Sequence, residues 1–223
     1  MDRSGNSIED LEAALADIAI VNRRLGGEKV LLDAAGPYLR PPEDGRPLEI
    51  LDVGTGGADL PAALLREARA SGIAARVAAI ELDPKTAAIA GRRVEPGLHV
   101  VRADAFRLPF RDRRFDLVCA SLFLHHFSEE EGARLLRGLA RVCRGTILVN
   151  DLERHVVPWA FIAVAARLTG RHPMFVHDAP LSVLRGFTRS ELASIAERAG
   201  LREIRVEARW PFRLVLTGAP GTA

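Results

Sequence analysis

Residues 47–57 read Pro-Leu-Glu-Ile-Leu-Asp-Val-Gly-Thr-Gly-Gly, and this stretch decides the fold. The short apolar run Ile50 to Val53 stops in glycines, and Ala58-Asp59-Leu60-Pro61 opens a helical pattern. The sequence therefore predicts a buried strand, a tight turn and a helix N-terminus. Glycines in such a turn let backbone N–H groups approach a ligand closely, and the helix end adds partial positive charge. The turn suits a nucleotide-like or carboxylate-bearing cofactor.

Outward from it, strands and helices alternate. Strands are predicted at 48–53, 76–82, 98–102, 115–120 and 145–150, with helices at 58–70, 84–94 and 128–142. A helix over 156–168, an irregular stretch over 169–187 and a helix over 188–199 follow. Two last strands, 201–208 and 212–218, flank Trp210-Pro211. Ser128 with Glu131 and Thr188 with Glu191 have the spacing of capping boxes. Asp83 before Pro84 reads as an N-cap. Apolar strands between helices imply an α/β fold whose parallel sheet is covered on both faces. The last two strands are too close in sequence for a parallel crossover, so they form an antiparallel hairpin at an edge. Ahead of the sheet, Ile8, Leu11, Leu15 and Ile18 mark an amphipathic helix over 7–25, which Gly26-Gly27 stops. A second helix is predicted from Glu28 to Leu39, and Pro41-Pro42 with Gly45 make a linker.

Composition narrows the class. With 31 Lys and Arg against 29 Asp and Glu, the net charge of +2 is too balanced to predict nucleic-acid binding. Cys119 and Cys143 sit in or beside apolar runs without metal-ligand spacing, which predicts buried free thiols in a reducing compartment and no metal site. Met1 to Asp10 is polar and acidic, unlike a signal peptide. The longest apolar run, Val156 to Ala166, is far short of the roughly 20 residues that span a bilayer. The expected location is the cytoplasm, with no stable membrane insertion.

Three features bear on the cofactor. A dinucleotide fingerprint wants a third glycine three places after Gly56, but Asp59 stands there and would repel a pyrophosphate. Glu81 ends the second strand, where ligands of parallel sheets bind, and its carboxylate can accept bonds from both hydroxyls of a ribose. Asp104 follows the third strand. It could accept the exocyclic amine of an adenine while the N–H of Ala105 meets a ring nitrogen.

These residues, together with Phe115-Asp116-Leu117-Val118 and the His125-His126 pair after the fourth strand, resemble the class I S-adenosylmethionine-dependent methyltransferases. The small-molecule branch, similar to ubiquinone/menaquinone C-methyltransferases and polyketide-associated methyltransferases, is nearest. The resemblance covers about 46–151 well and the C-terminal hairpin by architecture. It implies a Rossmann-like, seven-stranded, mostly parallel sheet and S-adenosylmethionine as cofactor. Asp52 with Gly54, Thr55 and Gly56 would hold the methionine end, and Glu81 the ribose. Asp104 and Ala105 would meet the adenine edge, Leu82 and Phe106 would sandwich the ring, and Ser121 would line the site. Residues 1–45 become a helical lid or extension, and 46–223 a methyltransferase domain with an acceptor-covering insertion at about 152–187.

Val156 to Ala166 is apolar nearly all round, whereas a surface helix shows one polar face. The expected acceptor is therefore small and mostly apolar or aromatic: a phenol, quinol or polyketide. Oxygen is slightly favoured over carbon as the methylated atom, because a phenol needs a base and histidines are present. His177 beside Asp178 is one candidate base. His126, which matches the family's histidine after the fourth strand, is another, and Asp151 is placed to reach substrate or a histidine. A homodimer is compatible with the sequence. The rivals are an NAD(P)-dependent oxidoreductase, disfavoured by Asp59, and a non-catalytic S-adenosylmethionine-binding module, disfavoured by Glu81 and Asp104. An RNA or protein methyltransferase lacks support, because Ser121-Leu122-Phe123-Leu124 stands where an Asn-Pro-Pro-Tyr-like signature would.

Overall fold

A computed structural model of the chain describes residues 7–93, 95–154 and 186–221. Its seven strands are β1 (Leu48–Val53), β2 (Ala75–Glu81), β3 (Leu98–Arg102), β4 (Phe115–Ser121), β5 (Cys143–Leu152), β6 (Arg202–Arg209) and β7 (Arg213–Ala219). They form one sheet in the order β3-β2-β1-β4-β5-β7-β6. β1 pairs in parallel with both β2 and β4, while β7 runs antiparallel between β5 and β6. The chain thus builds outward from β1 to β3, returns to β4 on the other side of β1, and ends in the expected edge hairpin. This reversal opens a crevice above the carboxyl ends of β1 and β4.

The helices are α1 (Ile8–Arg24), α2 (Gly27–Ala35), α3 (Asp59–Ala70), α4 (Pro84–Gly91), α5 (Glu129–Val142) and α6 (Arg189–Arg198). Side chains alternate across a strand, so each strand feeds two cores. Leu51, Val53, Val118, Ala120, Ile147, Val149, Leu214 and Leu216 pack beneath α5 and α6. Ile50, Leu117, Cys119 and Leu148 pack beneath α2 and α3, against Leu31, Ala35, Leu60 and Leu64. Each such fully buried Leu or Ile stabilises the fold by about 1.5–3 kcal/mol relative to exposure. Both cysteines are buried and unpaired, and burial pushes the Cys143 thiol up to about 12. Both capping boxes form, and Asp83 caps α4 by accepting from the Thr86 N–H at 2.7 Å.

Some boundaries differ from expectation. α2 stops at Ala35 and passes into a 3₁₀ turn, Gly36–Tyr38, because Pro37 has no N–H to continue the helical ladder. α4 ends at Gly91 rather than 94, with Arg92 and Arg93 closing tight turns onto Ile89 and Ala90. β5 runs from Cys143 to Leu152, longer than the apolar run, because Cys143 pairs with Phe115 at one end and Leu152 with Arg213 at the other. The predicted helix over 156–168 and irregular stretch over 169–187 lie outside the described residues, apart from Gly186 and Phe187.

Asp116 makes a structural clasp at the amino ends of the strands. Arg46 donates to both of its oxygens at 2.6 and 2.7 Å, Arg144 Nε donates at 2.6 Å, and the Glu49 N–H at 2.9 Å. Partial burial works against ionisation there, but these bonds outweigh it and hold the carboxyl well below the usual range. A depression of about 650 Å³ opens at this end, lined by Tyr38, Arg46, Leu48 and Asp116 among others. It lies at the wrong end of the sheet for a ligand of this topology.

Candidate cofactor and acceptor site

The turn after β1 is built from left-handed residues. Gly54, Gly56 and Ala58 have φ of 71°, 54° and 56°. The N–H groups of Gly54 and Thr55 both donate to the Ile80 carbonyl at 3.0 Å, hooking the turn onto β2. The Phe123 ring lies against Gly54, where an added Cβ would come within 2.2 Å of Phe123 Cδ2. Gly56 has open room, its nearest neighbour being Leu15 Cδ2 at 3.6 Å from a virtual Cβ.

The expected ligand-binding acids surround this turn. Glu81 Oε2 accepts from the Gly56 N–H at 3.1 Å, and its Oε1 accepts from the N–H groups of Leu82 and Asp83 at 2.9 and 3.2 Å. Asp52 is 3% exposed. Burial, reinforced by the negative charges of Asp59 and Glu81, outweighs the Thr55 hydroxyl and pushes its carboxyl up to about 7. Asp104 Oδ1 accepts from the Phe106 N–H at 2.8 Å, which fixes the turn after β3 and buries Ala105. Phe106 is half-buried, edge-on to Phe127 at 5.2 Å and under the Arg134 guanidinium at 4.6 Å. Leu82 is 61% exposed just beyond the end of β2. The hydroxyl of Ser121 is buried without a hydrogen-bond partner.

These features fit the methionine and adenosine parts of S-adenosylmethionine. An orphaned hydroxyl, a buried acid and an uncrowded glycine turn stand where polar groups and a cation would be received. Leu15 of α1 also lies over the turn, its Cβ 3.7 Å from a virtual Cβ on Gly57. Glu12 of the same helix pairs with Arg92 beyond α4 at 3.2 Å. The helix α1 therefore packs over the glycine turn.

Beyond β4, the 3₁₀ turn Leu124–His126 carries the two histidines with their ring centroids 4.2 Å apart and tilted by 40°. His126 is exposed. His125 is 5% exposed, and its Nδ1 lies 2.7 Å from Asp151 Oδ1, while the His125 N–H donates to Asp151 Oδ2 at 3.1 Å. Full burial alone would raise the Asp151 carboxyl. The His125 ring and the N–H groups of Leu152 and His125 outweigh that and hold it below the usual range. Asp151 is thus the partner of His125 rather than of His126. His177, with the rest of the predicted acceptor-covering insertion from 155 to 185, lies outside the described residues.

The sequence reading named His125 among the candidate histidines but missed its pairing with Asp151. A signal was present: Ile147, Val149 and Asp151 alternate onto one face of β5, which turns Asp151 into the core beneath α5. A buried acid there needs a partner, and the turn after β4 is the nearest loop. It also missed Arg213, whose inward direction follows from alternation with Leu214 and Leu216. Among the described residues, no group of three or more His, Cys, Asp or Glu is placed to hold a metal, and no helix is long and apolar enough to cross a membrane.

Comparison with known proteins accords with this geometry. Residues 50–145 match the sequence profile of the family described as "Methyltransferase domain". Over 90 residues the chain is 41% identical to a demethylmenaquinone methyltransferase of Thermus thermophilus, a match covering 39% of each protein. The matched part is thus about two fifths of that curated relative's length. Among solved structures, a SAM-dependent methyltransferase from Aquifex aeolicus superposes with a TM-score of 0.65 at 19% identity, over 93% of this chain and 97% of that one. Human N-acetylserotonin methyltransferase, solved in complex with SAM, superposes with a TM-score of 0.68 at 16% identity, over 97% of this chain and 57% of that one. At these identities the two superpositions speak to the fold.

Proposed function

We propose that this chain, which carries a methyltransferase domain of the class I S-adenosylmethionine-dependent type, methylates a small, mostly apolar or aromatic acceptor from which it first removes a proton. The observation that carries this reading is the buried His125–Asp151 pair, 2.7 Å apart, at the carboxyl ends of β4 and β5 beside the glycine turn. When bound, the cofactor supplies an electrophilic methyl group on a cationic sulfur.

The chain's residues take the following roles. Asp52 and the backbone of Gly54, Thr55 and Gly56 hold the methionine end. Glu81 accepts the ribose hydroxyls, Asp104 and the Ala105 N–H meet the adenine edge, and Leu82 and Phe106 flank the ring. Ser121 offers its free hydroxyl from the end of β4. Asp151 accepts the Nδ1 proton of His125, which leaves Nε2 with a lone pair to act as general base. Among the described residues, Nε2 makes no hydrogen bond. Oxygen is favoured over carbon as the methylated atom, because a phenol with a pKa near 10 yields its proton to an imidazole more readily than a carbon acid does.

His126 and His177 remain candidates for acceptor contact. The segment 152–187 covers the acceptor, and α1, with Leu15 on the turn, closes over the cofactor. The place of work is the cytoplasm.

The test has two arms. S-adenosylhomocysteine should raise the melting temperature, whereas NAD(P) should not; the reverse result sinks the reading. With a panel of phenols and quinols and methyl-labelled cofactor, label should pass to the acceptor in the wild type. It should pass at least a hundredfold more slowly in His125→Ala, in keeping with the roughly 10²–10⁴ that a general base contributes.

A further inference from the structure

A second buried polar cluster sits on the opposite face of β5 from the His125–Asp151 pair. Arg213, the first residue of β7, is 5% exposed. Its Nη2 donates to Asn22 Oδ1 at 2.9 Å, near the end of α1. Gly27, the first residue of α2, packs against both: a Cβ there would meet Asn22 Oδ1 at 2.5 Å and Arg213 Nη2 at 2.7 Å. The Gly27 carbonyl accepts from Asn150 Nδ2 at 3.3 Å. The cluster therefore joins α1, α2, β5 and β7.

What it leaves unsatisfied points to a ligand. Arg213 Nη1, Asn150 Oδ1 and Ser121 Oγ are all buried without a hydrogen-bond partner. Among the described residues, no carboxylate forms an ion pair with Arg213. Asp151 is turned to the other face and occupied by His125 and the Leu152 N–H. Burial lowers the guanidinium to about 10 against the opposing pull of the Asp151 charge, so it stays charged at neutral pH. A buried cation with no directly bonded counter-charge is disfavoured, and a Met or Leu would fill the same space without that penalty.

The position of the cluster indicates which ligand. Ser121 is in register with Asn150, and Asn150 with Val215, two residues after Arg213. All three unsatisfied side chains therefore lie on the α2 face, at the carboxyl ends of β4 and β5 and the start of β7. β7 lies three strands from β1, roughly 14 Å at the usual strand spacing. α1 spans the same gap, with Leu15 on the glycine turn and Asn22 on Arg213, about 10 Å apart along the helix. The methionine end of the cofactor belongs at the turn, and the acceptor on the β4–β5 side. Resting on the methyltransferase reading above, we propose that Arg213 anchors a carboxylate of the acceptor, with Asn150 completing the polar pocket under the α1–α2 junction. The acceptor is then a small aromatic or otherwise apolar acid.

The experiment is calorimetric titration of the full chain saturated with S-adenosylhomocysteine, using benzoate, 4-hydroxybenzoate and cinnamate alongside the matching neutral amides. The wild type should bind at least one acid at least tenfold more tightly than its amide. Arg213→Gln should lose that preference. Asn22→Ala, which removes a neighbour but keeps the cation, should retain it. S-adenosylhomocysteine affinity should be the same in all three proteins. A wild type that binds no acid in preference to its amide overturns the proposal, and so does Arg213→Gln binding the acids as tightly as the wild type; the guanidinium is then an internally hydrated brace. Weakened S-adenosylhomocysteine binding in Arg213→Gln overturns it differently, by assigning the carboxylate to the cofactor. Failure of S-adenosylhomocysteine to bind the wild type would instead refute the methyltransferase reading. The acid-versus-amide comparison in the wild type decides the matter even where Arg213→Gln does not fold.

Discussion

Gly54→Ala offers the sharpest test of the glycine turn. Gly54 has a φ of 71°, and the new Cβ would lie 2.2 Å from Phe123 Cδ2, 2.6 Å from Cγ and 2.7 Å from Cε2. Left-handed backbone costs a non-glycine residue about 1–2 kcal/mol. The overlap adds about 1–3 kcal/mol, because the ring must leave its place to regain contact distance. Phe123 has little room to give, since it packs edge-on to Phe127 at 5.1 Å. The expected loss is about 2–5 kcal/mol, a large share of a typical domain's 5–15. Urea unfolding of wild type, Gly54→Ala, Phe123→Ala and the double variant separates the two terms. In the Phe123→Ala background the glycine change should cost only the backbone part, leaving a coupling of about 1–3 kcal/mol. A Gly54→Ala loss below about 0.5 kcal/mol, or a coupling near zero, would refute both the ring contact and the claim that this position requires glycine.

Other perturbations test the neighbouring assignments. Glu81→Ala should weaken S-adenosylhomocysteine binding by about 1–3 kcal/mol through lost charge-assisted bonds, and unchanged affinity in calorimetry would remove Glu81 from the ribose. Asp151→Asn should slow turnover by roughly 10²-fold or more while leaving cofactor affinity unchanged, because it removes the anion that orients His125; a parallel loss of cofactor affinity would mean the pair is structural. The Asp116 clasp predicts acid sensitivity. Its carboxyl titrates below the unfolded value near 3.8, so its stabilisation is present above that pH and is lost as pH falls through the lower native value. Asp116→Asn should therefore lower the urea midpoint at pH 7 more than at pH 3, and an equal loss at both would count against the ionic clasp.

The fold was legible because its signals are local and redundant. Continuous apolar strands, two capping boxes and a glycine turn each point to the same sheet. The candidate cofactor acids could be named for a related reason: in this topology a ligand lies at strand ends, and Asp52 and Glu81 stand at the ends of β1 and β2, with Asp104 two residues beyond β3. The interior polar pairs were not legible. Whether His125 or His126 turns inward depends on one 3₁₀ turn, Leu124–His126, and neither spacing nor composition distinguishes two adjacent histidines. Arg213 follows a turn between strands, where an arginine reads as a solvated charge. Only the antiparallel insertion of β7 beside β5 carries it under α1 and α2.

The unsatisfied polar atoms gather at one end of the sheet, and Asp52 makes the consequence measurable. Its carboxyl is raised from 3.8 to about 7, chiefly by burial. Between those values the native chain holds a proton that the unfolded chain has released. Stability contributed at this site therefore falls as pH rises from about 4 to about 7, and the deficit persists above. At about 1.4 kcal/mol per pH unit, the deficit reaches at most about 4 kcal/mol. Asp52→Asn should remove it, so the ligand-free variant should melt higher than wild type at pH 8 and no higher at pH 4. The same substitution should weaken S-adenosylhomocysteine binding, because the ammonium of the methionine end favours the ionised acid. Binding to wild type near pH 6 should then release protons, seen as a dependence of calorimetric enthalpy on the buffer's ionisation heat, and binding to Asp52→Asn should not. A variant less stable than wild type at pH 8, or wild-type binding with no proton release, would mean that Asp52 is a satisfied structural acid and that the cation is received elsewhere.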